Sequence, residues 1–242
     1  MSIIRHIPNT ITSMNLLCGV IGVIFTFKGR FDIAFYFMLA AAVFDFCDGL
    51  TARLLNAHSP LGKELDSLSD MVSFGVLPSL MLVEIMMAKT GFDSALCYIP
   101  VILAVFSGLR LGKFNIDTRQ TLNFIGLPTP ASAMLCGALA CFIAAEPSSF
   151  LAVWASGYVF IPVLAIILSL LLVSEIPMFS MKIKKEGVDA VTKMKRIALL
   201  SSMVICIVIT FVLHINWTMV IILLFSFYIL MNIAFLLVPQ KK

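Results

Sequence analysis

The stretch Asp45–Asp70, DFCDGLTARLLNAHSPLGKELDSLSD, sets four aspartates and an arginine inside a chain that is otherwise strongly apolar. Of the 242 residues, 61% are hydrophobic and 12% charged, against roughly 25% charged in an ordinary soluble domain. Runs approaching the roughly 20 apolar residues needed to cross a hydrocarbon core recur along the whole length, with no polar domain between them. The reading is one all-α integral membrane domain over residues 1–242. A concentration of carboxylates inside it demands a physical reason.

Asp45 and Asp48 are three apart and Asp66 and Asp70 four apart, so each pair lies on one face of its helix. Gly49 and Ala52 share the first face, and Gly62, Asp66 and Asp70 form a stripe in steps of four. The glycines leave room for a backbone or a ligand to come close. A short connection around Asn56–Pro60 makes the two helices antiparallel neighbours whose acidic faces converge. One unpaired carboxylate in a bilayer costs at least about 2.5 kcal/mol, and four that repel one another cost more. Arg53 and Lys63 cannot offset four negative charges, whereas two divalent cations do. Oxygen-only ligands suit Mg²⁺ or Mn²⁺ rather than zinc. A metal pair bridged by carboxylates holds the attacking and leaving oxygens in phosphoryl transfer, and Arg53 offers a planar fork for a phosphate. A lone intramembrane aspartate is commonly a helix-to-helix hydrogen-bonding group or part of a proton path. Four at this spacing, interleaved with glycines and followed by an arginine, argue against that reading. His58 reads as a solvated turn residue.

Hydropathy predicts a bundle of about eight transmembrane helices, at 10–28, 32–55, 62–88, 94–114, 129–145, 151–173, 196–213 and 217–238. With the N-terminus inside, fourteen of the seventeen Lys and Arg lie inside, and only Lys28, Arg30 and Lys89 outside. That division follows the positive-inside rule and places the acidic faces in the cytoplasmic halves of their helices. Trp154 and Trp217 then begin spans at the outer interface, and the basic tract Met181–Arg196 is an inner anchor on anionic lipid. The first apolar run, from about Ile11, reads as an uncleaved span rather than a signal peptide. The six cysteines lie in apolar segments without ligand spacing and read as small core hydrophobes. A net charge of +4 gives no reason to expect nucleic acid. No internal repeat points to an inverted-repeat transporter.

Written out, the stretch is Asp45-x2-Asp48-Gly49-x2-Ala52-Arg53-x8-Gly62-x3-Asp66-x3-Asp70. It resembles the signature of the CDP-alcohol phosphotransferases, with every defining position filled. The resemblance implies that Asp45, Asp48 and Asp66 bind one divalent metal and Asp45, Asp66 and Asp70 a second. It also implies that Asp70 is the base that deprotonates the acceptor alcohol, and that Gly49, Arg53, Ser59 and Gly62 form the CDP site with Arg53 on the pyrophosphate. A homodimer is implied as well. IPNTITSMN (Ile7–Asn15), RLGKFN (Arg110–Asn115), GLPTPASA (Gly126–Ala133) and VSEIPMFSMK (Val173–Lys182) look like the phosphatidylserine synthase branch. That branch implies CDP-diacylglycerol and L-serine as substrates, direct displacement of CMP, and a bacterial or archaeal cell membrane with the site facing the cytoplasm. Arg110, Lys113 and Asn115 are candidates, by charge and placement, for holding the serine. A glycerol phosphate or inositol-type acceptor is the alternative within the family. A divalent-cation transporter is the alternative outside it, against which stands Arg53, whose charge would repel a permeating cation.

Overall fold

Helices α1 (Ile7–Phe27) and α2 (Phe31–Leu54) pack along each other as a hairpin closed at Lys28–Arg30, where Gly29 adopts a φ of +67°. The computed structural model describes residues 6–57, 59–91, 94–117, 124–155, 157–178, 190–212 and 214–237; His58 and residues 181–189 of the basic tract lie outside the described residues. Helix α1 begins ahead of the expected position 10 because Pro8 fits a first turn, where its missing N–H leaves no bond unmade.

The next rod carries the second acidic pair. Helix α3 (Pro60–Asp70) starts on Ser59, whose Oγ accepts the Gly62 N–H at 2.9 Å, with Pro60 in the first turn. The rod continues through a π-helical turn, Met71–Val76, into α4 (Leu77–Thr90). In the π turn the Leu77 N–H reaches back five residues to the Val72 carbonyl. Pro78 accounts for its position, since it offers no N–H to the carbonyl four residues back and its ring crowds that group. The chain relieves both problems by widening there.

A 3₁₀ turn, Ala95–Val101, leads into α5 (Ile102–Ile116). Helix α6 (Thr129–Ala145) forms the centre, every residue from Ala131 to Ile143 being buried, and α2, α4 and α10 (Thr218–Leu237) pack around it. Its alanines, and Gly137, let neighbours approach closely; a Cβ on Gly137 would meet Phe35 and Met38 at 2.8 and 2.9 Å. The single helix expected at 151–173 is in fact two, α7 (Phe150–Ala155) and α8 (Phe160–Val173). Gly157 lies in the break, and Pro162 sits in the first turn of α8, where proline is tolerated. Helix α9 (Ala190–Val212) precedes α10. Among the described residues the one strand pairing is antiparallel and two residues long, β1 (Phe124–Ile125) with β2 (Pro177–Met178), and it joins the residues just before the GLPTPASA segment to the VSEIPMFSMK segment.

Among the described residues, five helical segments are long and apolar enough to cross a membrane: Ile7–Phe27, Phe31–Leu54, Pro60–Thr90, Ala95–Ile116 and Thr218–Phe235. Thr129–Ala145, Phe160–Val173 and Ile197–Val212 are shorter apolar helices. The protein is an all-helical, multi-pass membrane protein. Trp217 lies at the α1–α2 turn end of the bundle, stacked on Tyr36 with ring centroids 5.8 Å apart.

The GLPTPASA segment is bound backbone to backbone against the end of α8. Gly126 N–H donates to the Ile176 carbonyl and Leu127 N–H to the Leu171 carbonyl, both at 2.9 Å. Gly126 has a φ of +78°, and a Cβ there would meet the Leu172 and Ser174 carbonyls at 2.5 and 2.9 Å. Left-handed backbone costs an alanine about 1–2 kcal/mol, and in Gly126→Ala the carbonyl contact adds to it. Gly29→Ala meets open space at its own positive φ and carries the backbone cost alone. Thermal unfolding in detergent is expected to show a clearly larger fall in Tm for Gly126→Ala; equal falls would contradict the packing of this segment on α8.

Candidate active site

The α2–α3 connection turns the chain back on itself, with Asn56 at a φ of +46°, and brings the two acidic faces together. One carboxylate oxygen from each of Asp45, Asp48 and Asp66 lies within 4.8 Å of the others. Asp48 is buried, 6% exposed, and Asp45 and Asp66 are half-buried. Asp48 Oδ2 and Asp66 Oδ1 are buried with no hydrogen-bond partner among the described residues. Unpaired buried carboxylate oxygens are costly. A divalent cation is the ligand this donor set fits, being a hard ion that takes several anionic oxygens at once.

Asp70 stands apart from the three. It is 8% exposed, one turn along α3 from Asp66, and its Oδ1 accepts a hydrogen bond from Asn15 Nδ2 at 3.1 Å. Arg110, on α5, lies near enough for the two charges to act on each other.

Asp48 and Asp66 open onto a cleft of about 560 Å³, ample for a ligand the size of a nucleotide. All four residues read from the sequence as the CDP site line it. A Cβ on Gly49 would meet nothing within 4 Å, so the cleft passes directly over that backbone. Gly62 is small for a different reason, since a Cβ there would press on Asn9 Oδ1 at 2.9 Å and Ser59 Oγ at 3.0 Å. Arg53 and Lys63 are exposed at the rim, and Ser59 Oγ caps α3.

The three serine-binding candidates lie on the last turns of α5, each engaged with a neighbouring element. Arg110 is 7% exposed; it donates to Thr129 Oγ1 at 3.2 Å and lies 5.2 Å from the centroid of the Phe114 ring. Lys113 Nζ reaches the Val173 carbonyl at the C-terminus of α8, 3.5 Å away, where a cation suits the orphan carbonyls and the helix dipole. Asn115 Nδ2 donates to Ser67 Oγ at 2.8 Å, and its carbonyl accepts from Lys63 Nζ at 2.8 Å. The last two contacts tie α5 to α3.

Sequence reasoning missed the contribution of α1. Pro8, Asn9 and Thr12 line the cleft and Asn15 reaches Asp70. The signal was available: Asn9, Thr12 and Asn15 recur every three residues in an apolar run, which is a polar stripe on one helix face.

Known proteins resemble this chain. The chain is 36% identical over 130 residues to a CDP-diacylglycerol-serine O-phosphatidyltransferase of Bacillus subtilis, covering 54% of this chain and 72% of that one. It is 33% identical over 213 residues to the protein of the same name from Mycobacterium bovis, covering 84% and 69%. An archaetidylserine synthase of Methanothermobacter thermautotrophicus is 32% identical over 131 residues, covering 53% of this chain and 54% of the relative. Residues 5–161, which hold the acidic cluster, the cleft and the α1 stripe, match the CDP-alcohol phosphatidyltransferase profile, and the chain belongs to that family.

Proposed function

We propose that the protein transfers the phosphatidyl group of CDP-diacylglycerol to the hydroxyl of L-serine, giving phosphatidylserine and CMP. The observation that carries this reading is the cluster of Asp45, Asp48 and Asp66, with two unpaired buried oxygens, at a cleft whose floor is the bare backbone of Gly49. Serine as acceptor is supported by the relatives, which carry it in their names whether their lipid product is bacterial or archaeal.

Asp45, Asp48, Asp66 and Asp70 would together hold two Mg²⁺ or Mn²⁺ ions, which when bound neutralise the pyrophosphate and polarise its P–O bonds. Arg53 grips the pyrophosphate by its planar fork, and Gly49, Ser59 and Gly62 bound the space for the cytidine nucleotide. Asp70 takes the proton from the serine hydroxyl as its oxygen attacks phosphorus and CMP departs from the opposite side. The carboxylate of the incoming serine is met by the cationic end of α5, with Arg110 first because its charge acts on that of Asp70. The whole chain acts as one catalytic domain in a bacterial or archaeal cell membrane, as a homodimer. The site faces the cytoplasm, where serine and CMP are soluble while the acyl chains stay in lipid.

Purified protein in detergent, given Mg²⁺ or Mn²⁺ and CDP-diacylglycerol, is expected to release CMP on addition of L-serine and far less with glycerol 3-phosphate or inositol phosphate. A zwitterion needs one cation for its carboxylate, whereas a phosphorylated acceptor needs several for its roughly two negative charges. Arg110→Ala should raise KM for serine more than KM for the donor. Faster turnover with glycerol 3-phosphate would overturn serine as acceptor, and passage of divalent ions across proteoliposomes without CMP release would overturn the enzymatic reading.

Asp45→Asn and Asp66→Asn should abolish turnover and weaken Mn²⁺ binding by calorimetry. Asp70→Asn should lower kcat by roughly 10²- to 10⁴-fold, the contribution of a general base, with a smaller loss of nucleotide affinity. Near-normal kcat in Asp70→Asn would remove it as the base.

A further inference from the structure

Asn15 has none of its surface exposed. It ends the IPNTITSMN motif, and neither the cleft nor the three-carboxylate cluster accounts for it. Its Nδ2 donates to Asp70 Oδ1 at 3.1 Å, while its own Oδ1 is buried with no partner among the described residues. A stranded acceptor destabilises a fold, so the Oδ1 of Asn15 adds no stability of its own. What the amide supplies here is the hydrogen bond to Asp70.

The backbone on both sides of that bond is fixed. Ser69 Oγ donates to the Thr12 carbonyl at 3.2 Å, and Ser73 Oγ to the Asn15 carbonyl at 3.0 Å. A Cβ on Gly19 would collide with Ser73, so α1 and the π turn touch directly just beyond. Ser69 precedes Asp70 and Ser73 belongs to the π turn that follows it, so α1 is clasped on either side of the carboxylate. An aspartate's terminal torsion is otherwise broad. One oxygen pinned by an N–H fixes the carboxylate plane and directs the second oxygen away from Asn15.

Resting on the reading of Asp70 as the base, we infer that Asn15 is a positioning residue, holding Asp70 Oδ1 so that Oδ2 is presented to the acceptor hydroxyl. The hydroxyl proton passes to Oδ2 as the acceptor oxygen bonds to phosphorus and the bond to CMP breaks. Asn15 exchanges no proton with the substrate.

The test is Asn15→Leu in the full-length protein, in detergent with Mn²⁺, read by steady-state kinetics, CDP binding by calorimetry and thermal unfolding. The expected result is a kcat lower by roughly 10- to 100-fold, the usual loss when a partner of a site carboxylate is removed. KM for CDP-diacylglycerol and Kd for CDP should stay within about threefold, and Tm should change little, because the loss of one stranded oxygen, Asn15 Oδ1, is offset by the stranding of Asp70 Oδ1. A kcat within about twofold of the parent overturns the inference, as does a parallel fall in Tm, CDP affinity and kcat, which marks a structural role. Should Asn15→Leu not fold, Asn15→Ala, smaller and without the donor, is judged by the same kinetic and binding outcomes. Asp70→Asn run alongside separates the two levels. If Asp70→Asn is inactive and the Asn15 variants are normal, only the positioning role falls; if Asp70→Asn is active, the base assignment falls first.

Discussion

Mutual repulsion among Asp45, Asp48 and Asp66 is the constraint to which the rest of the bundle is adjusted. Carboxylate oxygens within 4.8 Å of one another, partly out of water, push α2 and α3 apart unless something holds them. The ion pair found among the described residues, Arg30–Asp32, lies at the far end of α2 and gives no help. The restraint is mechanical instead. The tight α2–α3 connection fixes one end, the Ser59 cap fixes the first turn of α3, and α1 lies against both helices with its carbonyls hydrogen-bonded by Ser69 and Ser73. The neighbours thus hold a charge distribution in place before any cation arrives to balance it, which is the preorganisation that electrostatic catalysis needs.

Around the end of α5 the polar groups are used differently. Lys63, Arg110, Lys113 and Asn115 each meet a carbonyl or hydroxyl on another helix or loop. The end of α5 is thereby tied to α3, α6 and α8, and the GLPTPASA segment is tied to α8 by its own backbone. Under the proposed function the end of α5 meets the acceptor, and groups that recognise an acceptor must be held in place to discriminate between acceptors. Three of the motif segments, RLGKFN, GLPTPASA and VSEIPMFSMK, meet through these ties, each supplying one or a partner for one.

The aspartates were legible in the sequence because helical spacing alone fixes which residues share a face, and because charge in an apolar chain has few innocent explanations. The long helices were legible from their composition. The break between α7 and α8 was not, since Gly157 and Pro162 sit in a run as apolar as its neighbours and hydropathy averages over them. The π turn was equally hidden, because Pro78 within a helix announces a disturbance but not its form. The part played by Asn15 needed the third dimension: nothing in a polar stripe on α1 says which helix lies opposite, or that its last amide would face Asp70 rather than the cleft.

The π turn at Met71–Val76 divides one continuous rod into two halves with separate angular settings. A residue inserted into a regular helix rotates everything beyond it by about 100°; confined to a widened turn, that rotation is absorbed where it arises. Asp66 can therefore face α2 and Asp70 face Asn15 on α1 while Leu77, Met81 and Met86, all fully buried, face the core, although no single helical repeat would serve both. Loss of one residue from this turn would restore the regular helix and swing one half against the other, so that chemistry and packing could not both be kept. Chain length at this point is as much a determinant of the enzyme as the identity of any side chain.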